Sequence, residues 1–137
     1  CIFDTKLINI LQFYYLKQNN LDVGFDKKKK IFLLNNINKV VLNKKVNNSL
    51  FIANWSLSET PLSVRKKFEN KIKRFEYIII SFQEYFENIN NLKYFKIFSK
   101  KLKKNYKVTL LKNTFYKGNI LKKQNHFFFI CKKHTKA

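Results

Sequence analysis

Apolar residues along this chain fall into short blocks whose spacing changes from that of a strand to that of a helix and back. Cys1 to Asp4 read as the end of a buried strand. From Lys6 to Asn19, the residues Leu7, Ile10, Leu11, Tyr14 and Tyr15 share one helical stripe, and Asn19-Asn20 is a stop. Ile31 to Leu34 form a short strand that ends at Asn35-Asn36, and Ser49 to Asn54 form another. A helix start follows, with Thr60 as a cap and Pro61 in the first helical position, where its missing N–H costs nothing. Val64, Phe68, Ile72 and Phe75 continue it at helical spacing. Tyr77 to Ser81 is β-branched and continuous, the pattern of a strand covered on both faces. Asn91 to Lys104 is helical, with Leu92, Phe95, Phe98 and Leu102 on one face. Tyr106 to Leu111 is a strand, Lys112 to Asn125 a polar loop, and His126 to Cys131 the last strand. The predicted order is β-α-β-β-α-β-α-β-β. Alternation predicts an α/β fold with a largely parallel sheet, and two closing strands without a helix between them predict an antiparallel hairpin.

Composition narrows this further. A length of 137 residues suits one domain, and 45% hydrophobic with 17% aromatic content excludes a disordered basic tail. The net charge of +21 points first to a nucleic-acid partner, since phosphate-binding surfaces are rich in Lys and Arg. However, only Arg65 and Arg74 among the 29 basic residues are Arg, and bidentate phosphate and guanine contacts favour Arg. Lys, Asn, Ile, Phe and Tyr are inflated together, as in an AT-rich coding sequence. A solvated lysine-rich surface is therefore expected and a nucleic-acid partner is not; an anionic sugar nucleotide or glycan precursor stays open. Cys1 and Cys131 form neither a disulfide framework nor a zinc-ligand pattern, which fits a reduced, cytoplasmic setting. No apolar run reaches the roughly 18 residues of a membrane-spanning helix. The chain has no Met and opens on what reads as a strand entered midway, so residues 1–137 are expected to be part of a longer domain.

Three segments carry a resemblance to a known family. Ile2-Phe3-Asp4 with the following helix, including Leu11-Gln12 and Tyr14-Tyr15-Leu16, resembles the second strand and next helix of sugar O-methyltransferases of the class I, S-adenosylmethionine-dependent kind. Phe51 to Glu59 resembles the fourth strand and the Ser-Glu segment after it, and Phe115 to Asn119 the loop between the last two strands. The resemblance implies a Rossmann-like sheet of order 3-2-1-4-5-7-6 with strand 7 antiparallel. The first strand and its glycine-rich turn would then lie upstream of residue 1. Gly24 and Gly118 do not replace that turn, because neither belongs to a glycine-rich strand-to-helix connection.

In an open α/β sheet, ligands lie beyond the carboxyl ends of the strands. That rule selects Asp4, Asn35, Asn54 to Glu59, Ser81 to Gln83 and the loop 112–125, and the returning last strand adds His126. Asp4 can accept two hydrogen bonds from a ribose diol or cap the helix after it. With Asn35, Asn54 and Trp55 it makes up the expected S-adenosylmethionine contacts, although Trp55 also suits a core. Ser58, Glu59, Gln83 and Tyr116 are the expected contacts to a sugar acceptor. Glu59 also suits the first turn of the next helix, as a favourable charge. A sugar hydroxyl must lose a proton as it attacks a methyl group, and His126, with Glu59, is the candidate catalytic residue. No residue pattern calls for a metal. Methyl transfer to a sugar hydroxyl is the leading expectation. A nucleotide-sugar enzyme such as a glycosyltransferase and a lysine-rich nucleic-acid-binding module are the alternatives.

Overall fold

A computed structural model describes residues 2–26, 28–35, 49–114 and 124–134. It divides into two compact units, residues 1–43 and 44–137. In the first unit, β1 (Ile2–Phe3) leads to α1 (Lys6–Gln18), followed by β2 (Val23–Gly24) and β3 (Ile31–Leu34). β3 is central and pairs parallel with both others, in the order β1-β3-β2, with Ile2 opposite Leu33 and Val23 opposite Ile31. Two-residue β2 has no periodicity to announce it, and the sequence reading missed it.

α1 begins at Thr5, whose hydroxyl accepts from the Ile8 N–H, so Thr5 is the cap and Asp4 is not. The chain leaves α1 at Asn20, which adopts φ 57°, the left-handed conformation that commonly ends helices and that Asn tolerates. The stripe of Leu7, Ile10, Leu11, Tyr14 and Tyr15 is exposed rather than buried. α1 has a second stripe at the same spacing, Asn9, Gln12, Phe13 and Leu16, and these are its less exposed residues. Asn9 decides between them. Its amide donates to the Leu34 carbonyl at 2.8 Å and the Asp4 carbonyl at 3.3 Å, tying the helix to the ends of β3 and β1.

The second unit contains β4 (Leu50–Asn54), α2 (Leu62–Ile72), β5 (Tyr77–Gln83), the short ribbon β6 (Tyr85–Phe86) and β7 (Ile89–Asn90), α3 (Asn91–Leu102), β8 (Tyr106–Lys112) and β9 (His126–Lys133). Its main sheet has the order β4-β5-β9-β8. β4 and β5 are parallel, with Asn54 opposite Ser81, whereas β9 runs antiparallel to both β5 and β8. The closing antiparallel hairpin expected from the pattern is thus present. The ribbon β6–β7 was not foreseen; Glu87 turns it with φ 50°.

One face of this sheet forms the core. Ile78, Ile80 and Phe82 from β5 stand beside Phe129 and Cys131 from β9, all buried. Phe95 of α3 packs on Phe82 and Phe129, with ring centroids 4.2 and 5.6 Å apart. α2 lies against α3: buried Glu69 accepts from the Tyr94 hydroxyl at 3.1 Å and pairs with Lys101 at 2.9 Å. The Tyr106 hydroxyl shares its one proton between the carbonyls of Lys73 and Phe75, at 2.7 and 2.6 Å, just past the end of α2.

Two expectations are corrected here. β5 is not covered on both faces, because Tyr77, Ile79, Ser81 and Gln83 are only half-buried and Ile52 beside them is 57% exposed. A β-branched run reads the same whether one face or two are covered. Thr60 does not cap α2 either: its hydroxyl turns back to the Leu57 carbonyl at 2.9 Å, and Pro61 is itself the cap residue. The expected contact Tyr116, with most of the loop around it, lies outside the described residues.

The asymmetry of the sheet has a measurable consequence. Ile80→Ala, at a side chain with 0% exposure, should cost about 2–5 kcal/mol in urea unfolding. Ile52→Ala on the opposite face should shift stability by only about 0.5 kcal/mol. Equal losses would mean that the second face is packed as well.

Candidate functional site

The carboxyl ends of β4 and β5 and the start of β9 share one rim of the second unit's sheet, since Asn54 is level with Ser81 and Gln83 with His126. After Asn54 the chain turns sharply. Trp55 has φ 58°, uncommon for a large side chain, while its N–H prolongs the ladder to the Ser81 carbonyl at 2.9 Å. A single helical turn follows, closed by the Glu59 N–H on the Trp55 carbonyl at 3.0 Å. Half-exposed, the Trp55 indole lies over the His126 imidazole, with centroids 5.4 Å apart and planes 35° apart. It is therefore a rim residue, not a core aromatic.

Gln83 links the polar side chains. Its Nε2 donates to a Glu59 carboxylate oxygen at 3.1 Å, and its Oε1 lies 3.2 Å from the Ser58 hydroxyl. The carboxylate fixes the amide's orientation, because an ionised carboxylate can only accept. The Ser58 proton is shared with the Trp55 carbonyl at 2.7 Å. Nearby, the Ser81 hydroxyl donates to Asn54 Oδ1 at 3.3 Å. Glu59 is not in the first turn of α2, which holds no acidic residue; its side chain is exposed at the rim. Trp55, Ser58, Glu59, Gln83 and His126 are thus brought together, with Asn54 alongside. The arrangement combines an aromatic face, a carboxylate, an amide and an imidazole. It can stack on a ring and both donate to and accept from hydroxyl groups.

Burial holds the His126 imidazole below its ordinary pKa. At neutral pH it is therefore the unprotonated form, able to take up a proton. The Cys131 thiol on the core face is pushed up to about 12 by burial, which keeps it protonated and unreactive.

What holds this rim was not found from the sequence. Arg65 is fully buried, at 0% exposure. Its Nε donates to the Thr60 carbonyl at 2.8 Å, one terminal nitrogen to Asn91 Oδ1 at 2.7 Å, and the other to the Ser58 carbonyl. Its guanidinium also lies 5.1 Å from the Tyr94 ring centroid. Buried Asn91 in turn donates to the Gln83 carbonyl at 2.9 Å. A single cation therefore ties the Ser58–Thr60 loop to the start of α3 and the end of β5. The available signal was its type. Within a basic set made almost wholly of Lys it picks out Arg65 and Arg74, of which Arg74 is exposed, so the type narrows the choice to two positions without deciding between them.

In the first unit, Asp4 stands at the end of β1. One carboxylate oxygen accepts from the Thr5 N–H at 2.8 Å and the other from Gln12 at 3.3 Å. A carboxylate offers about four lone-pair positions, so capacity for further donors remains. Asn35 is exposed just after β3. Gly24 does not form a phosphate-type strand-to-helix turn: it lies in β2, and the next element is the strand β3.

Comparison with known proteins returns no match to a family model, to a curated protein or to a solved structure. No helix among the described residues is long and apolar enough to cross a membrane.

Arg65 supplies the test of this geometry. Arg65→Met strands the two carbonyls and the Asn91 oxygen, and should cost about 3 kcal/mol or more in urea unfolding. Arg65→Lys should recover little, since one ammonium cannot reproduce the fork. A loss below about 1 kcal/mol for either variant would mean that the loop is held by other contacts.

Proposed function

We propose that this protein takes part in S-adenosylmethionine-dependent methyl transfer to a hydroxyl of a sugar, in a cytoplasmic setting. The observation that carries the reading is the rim built by Trp55, Ser58, Glu59, Gln83 and His126. An aromatic face beside neutral and acidic hydrogen-bonding groups suits a polyhydroxylated ring. The strand pairings support it too. Within the second unit, β4-β5-β9-β8 with β9 antiparallel has the order of strands 4-5-7-6 in such a sheet; within the first, β3 and β1 pair parallel as strands 3 and 2 do, with β2 an addition on the far side of β3.

S-adenosylmethionine, when bound, supplies an electrophilic methyl group. Asp4 suits its ribose, because the carboxylate is held by Thr5 and Gln12 yet can still accept from a diol. Asn35, just after β3 in the same unit, is assigned to the cofactor as well. In the second unit, Glu59 and Gln83 hold the acceptor's hydroxyl groups, the buried Ser58 hydroxyl helps to fix the Gln83 amide, and Tyr116 is assigned to the acceptor as well. With the cofactor bound, the methyl group would pass from sulfur to the acceptor oxygen, the methyl–sulfur bond breaking to leave a neutral thioether; His126 would take the hydroxyl proton and Glu59 would stabilise the imidazolium that results.

In calorimetry on the protein, Asp4→Ala should weaken S-adenosylmethionine binding by about 1–3 kcal/mol, and Glu59→Gln should leave it nearly unchanged while lowering turnover. Binding of a nucleotide sugar, with none of S-adenosylmethionine, would replace this reading by a glycosyltransferase-like one.

The pH profile tests His126 separately. Its native pKa is depressed, so turnover should fall only once pH drops below the ordinary histidine value of 6.5. The unfolded chain takes up this proton first as pH falls, so the native state loses stability through the same window. The acid limb should be absent from the residual activity of His126→Gln. An unchanged limb in that variant would assign the proton to another group.

A further inference from the structure

The outer surface of α2 and α3 carries a charge pattern that the rim chemistry does not use. Glu69 is the only acidic residue in either helix, and it is buried and paired with Lys101. On α3, Lys93, Lys96, Ile97 and Lys100 are exposed at i, i+3, i+4 and i+7, opposite the buried Phe95, Phe98 and Leu102. Lys66 and Lys67 are exposed on α2, which is fastened beside α3 through Glu69 and Arg65. The acids of the second unit are elsewhere: Glu59, Glu84 and Glu87 lie at or beyond the carboxyl ends of β4 and β5, and Glu76 precedes β5. A coding bias towards Lys raises its number everywhere, but it does not remove acids from one surface. Exposed lysines continue past α3 at Lys103, Lys104 and Lys107, and what sets the α2–α3 surface apart is exposed Ile97 among its lysines.

We infer that the α2–α3 surface docks this protein on an anionic lipid bilayer. Three features favour a bilayer over a nucleic acid. The exposed cations on this face of both helices are lysines, which act as point charges towards a diffuse negative surface, whereas duplex and phosphate recognition favours the fork of Arg. Arg65 is unavailable, since its nitrogens are committed inside the protein. Ile97, at 49% exposure, stands in the middle of the α3 lysines, with exposed Leu62 on α2. An apolar side chain ringed by lysines suits the boundary between headgroups and acyl chains. Binding here does not depend on the methyl-transfer reading.

The experiment is cosedimentation of the protein with vesicles of phosphatidylcholine alone, or of phosphatidylcholine with phosphatidylglycerol, across a range of salt. Binding should require phosphatidylglycerol and weaken as salt rises. Reversing Lys93, Lys96 and Lys100 to Glu should weaken it by roughly 100-fold. Reversing Lys6, Lys17 and Lys28 in the first unit changes net charge equally and should weaken it only a fewfold. Circular dichroism checks folding, and Lys→Gln at the same three α3 positions, with a smaller loss, provides a milder variant. Ile97→Ser should lower the binding that survives at high salt. Equal losses for the two charge reversals would overturn the proposal, as would binding to neutral vesicles. It would also fall if duplex DNA captured the protein in preference to anionic vesicles through the same lysines.

Discussion

The Arg65 guanidinium is the interaction on which the arrangement of the second unit's rim depends. A charge removed from water is costly unless it is hydrogen-bonded, and this one donates to two carbonyls and an amide oxygen. The requirement works in both directions. Arg65 needs the Ser58–Thr60 loop to curl back over the start of α2, and the loop needs Arg65 because its carbonyls lie outside any helix or strand ladder. Burial pulls the Arg65 pKa down through desolvation, yet a guanidinium has ample margin to stay charged near neutral pH. Ser58 and Glu59 meet Gln83 because Asn91, held by Arg65, fixes the backbone at the end of β5.

This constraint also explains how the unit divides its labour. The sheet face bearing Ile78, Ile80, Phe82 and Phe129 is committed to packing against α3, and its aromatic contacts supply the apolar burial. The ends of the strands are left for polar chemistry, with Trp55 in a left-handed conformation that aims its ring across the rim at His126. A non-glycine residue in that region stores strain that the surrounding hydrogen bonds must hold in place. The exposed charged residues of α2 and α3 are all lysines. Packing thus lies between sheet and helix, polar chemistry at the strand ends, and charge on the outer surface of the helices.

Much of the element order was legible in the chain, because long segments with a clear period announce themselves. α3 is an example: Phe95, Phe98 and Leu102 repeat at helical spacing and are buried together. The hairpin of β8 and β9 was legible for a related reason, since no helical segment separates them. α1 shows where periodicity fails. Two stripes of equal spacing compete on it, and a polar residue, Asn9, selects the buried one through hydrogen bonds to carbonyls of β1 and β3. Hydrophobicity alone favours the wrong stripe. The short strands β2, β6 and β7 contain too few residues to express any period.

The sequence by itself determined where the longer helices and strands lie, and that Trp55, Ser58, Glu59, Gln83 and His126 stand at strand ends, because spacing and chain order are local properties. Tertiary structure alone decided that Gln83 bridges Ser58 and Glu59, that Trp55 covers His126, and that Arg65 is an internal tie and not a surface cation. It also decided that β5 is covered on one face only. The reason is physical. A hydrogen bond between residues some 25 positions apart, such as Ser58 with Gln83, depends on strand register and on the course of the backbone between them. The composition of neither segment records these.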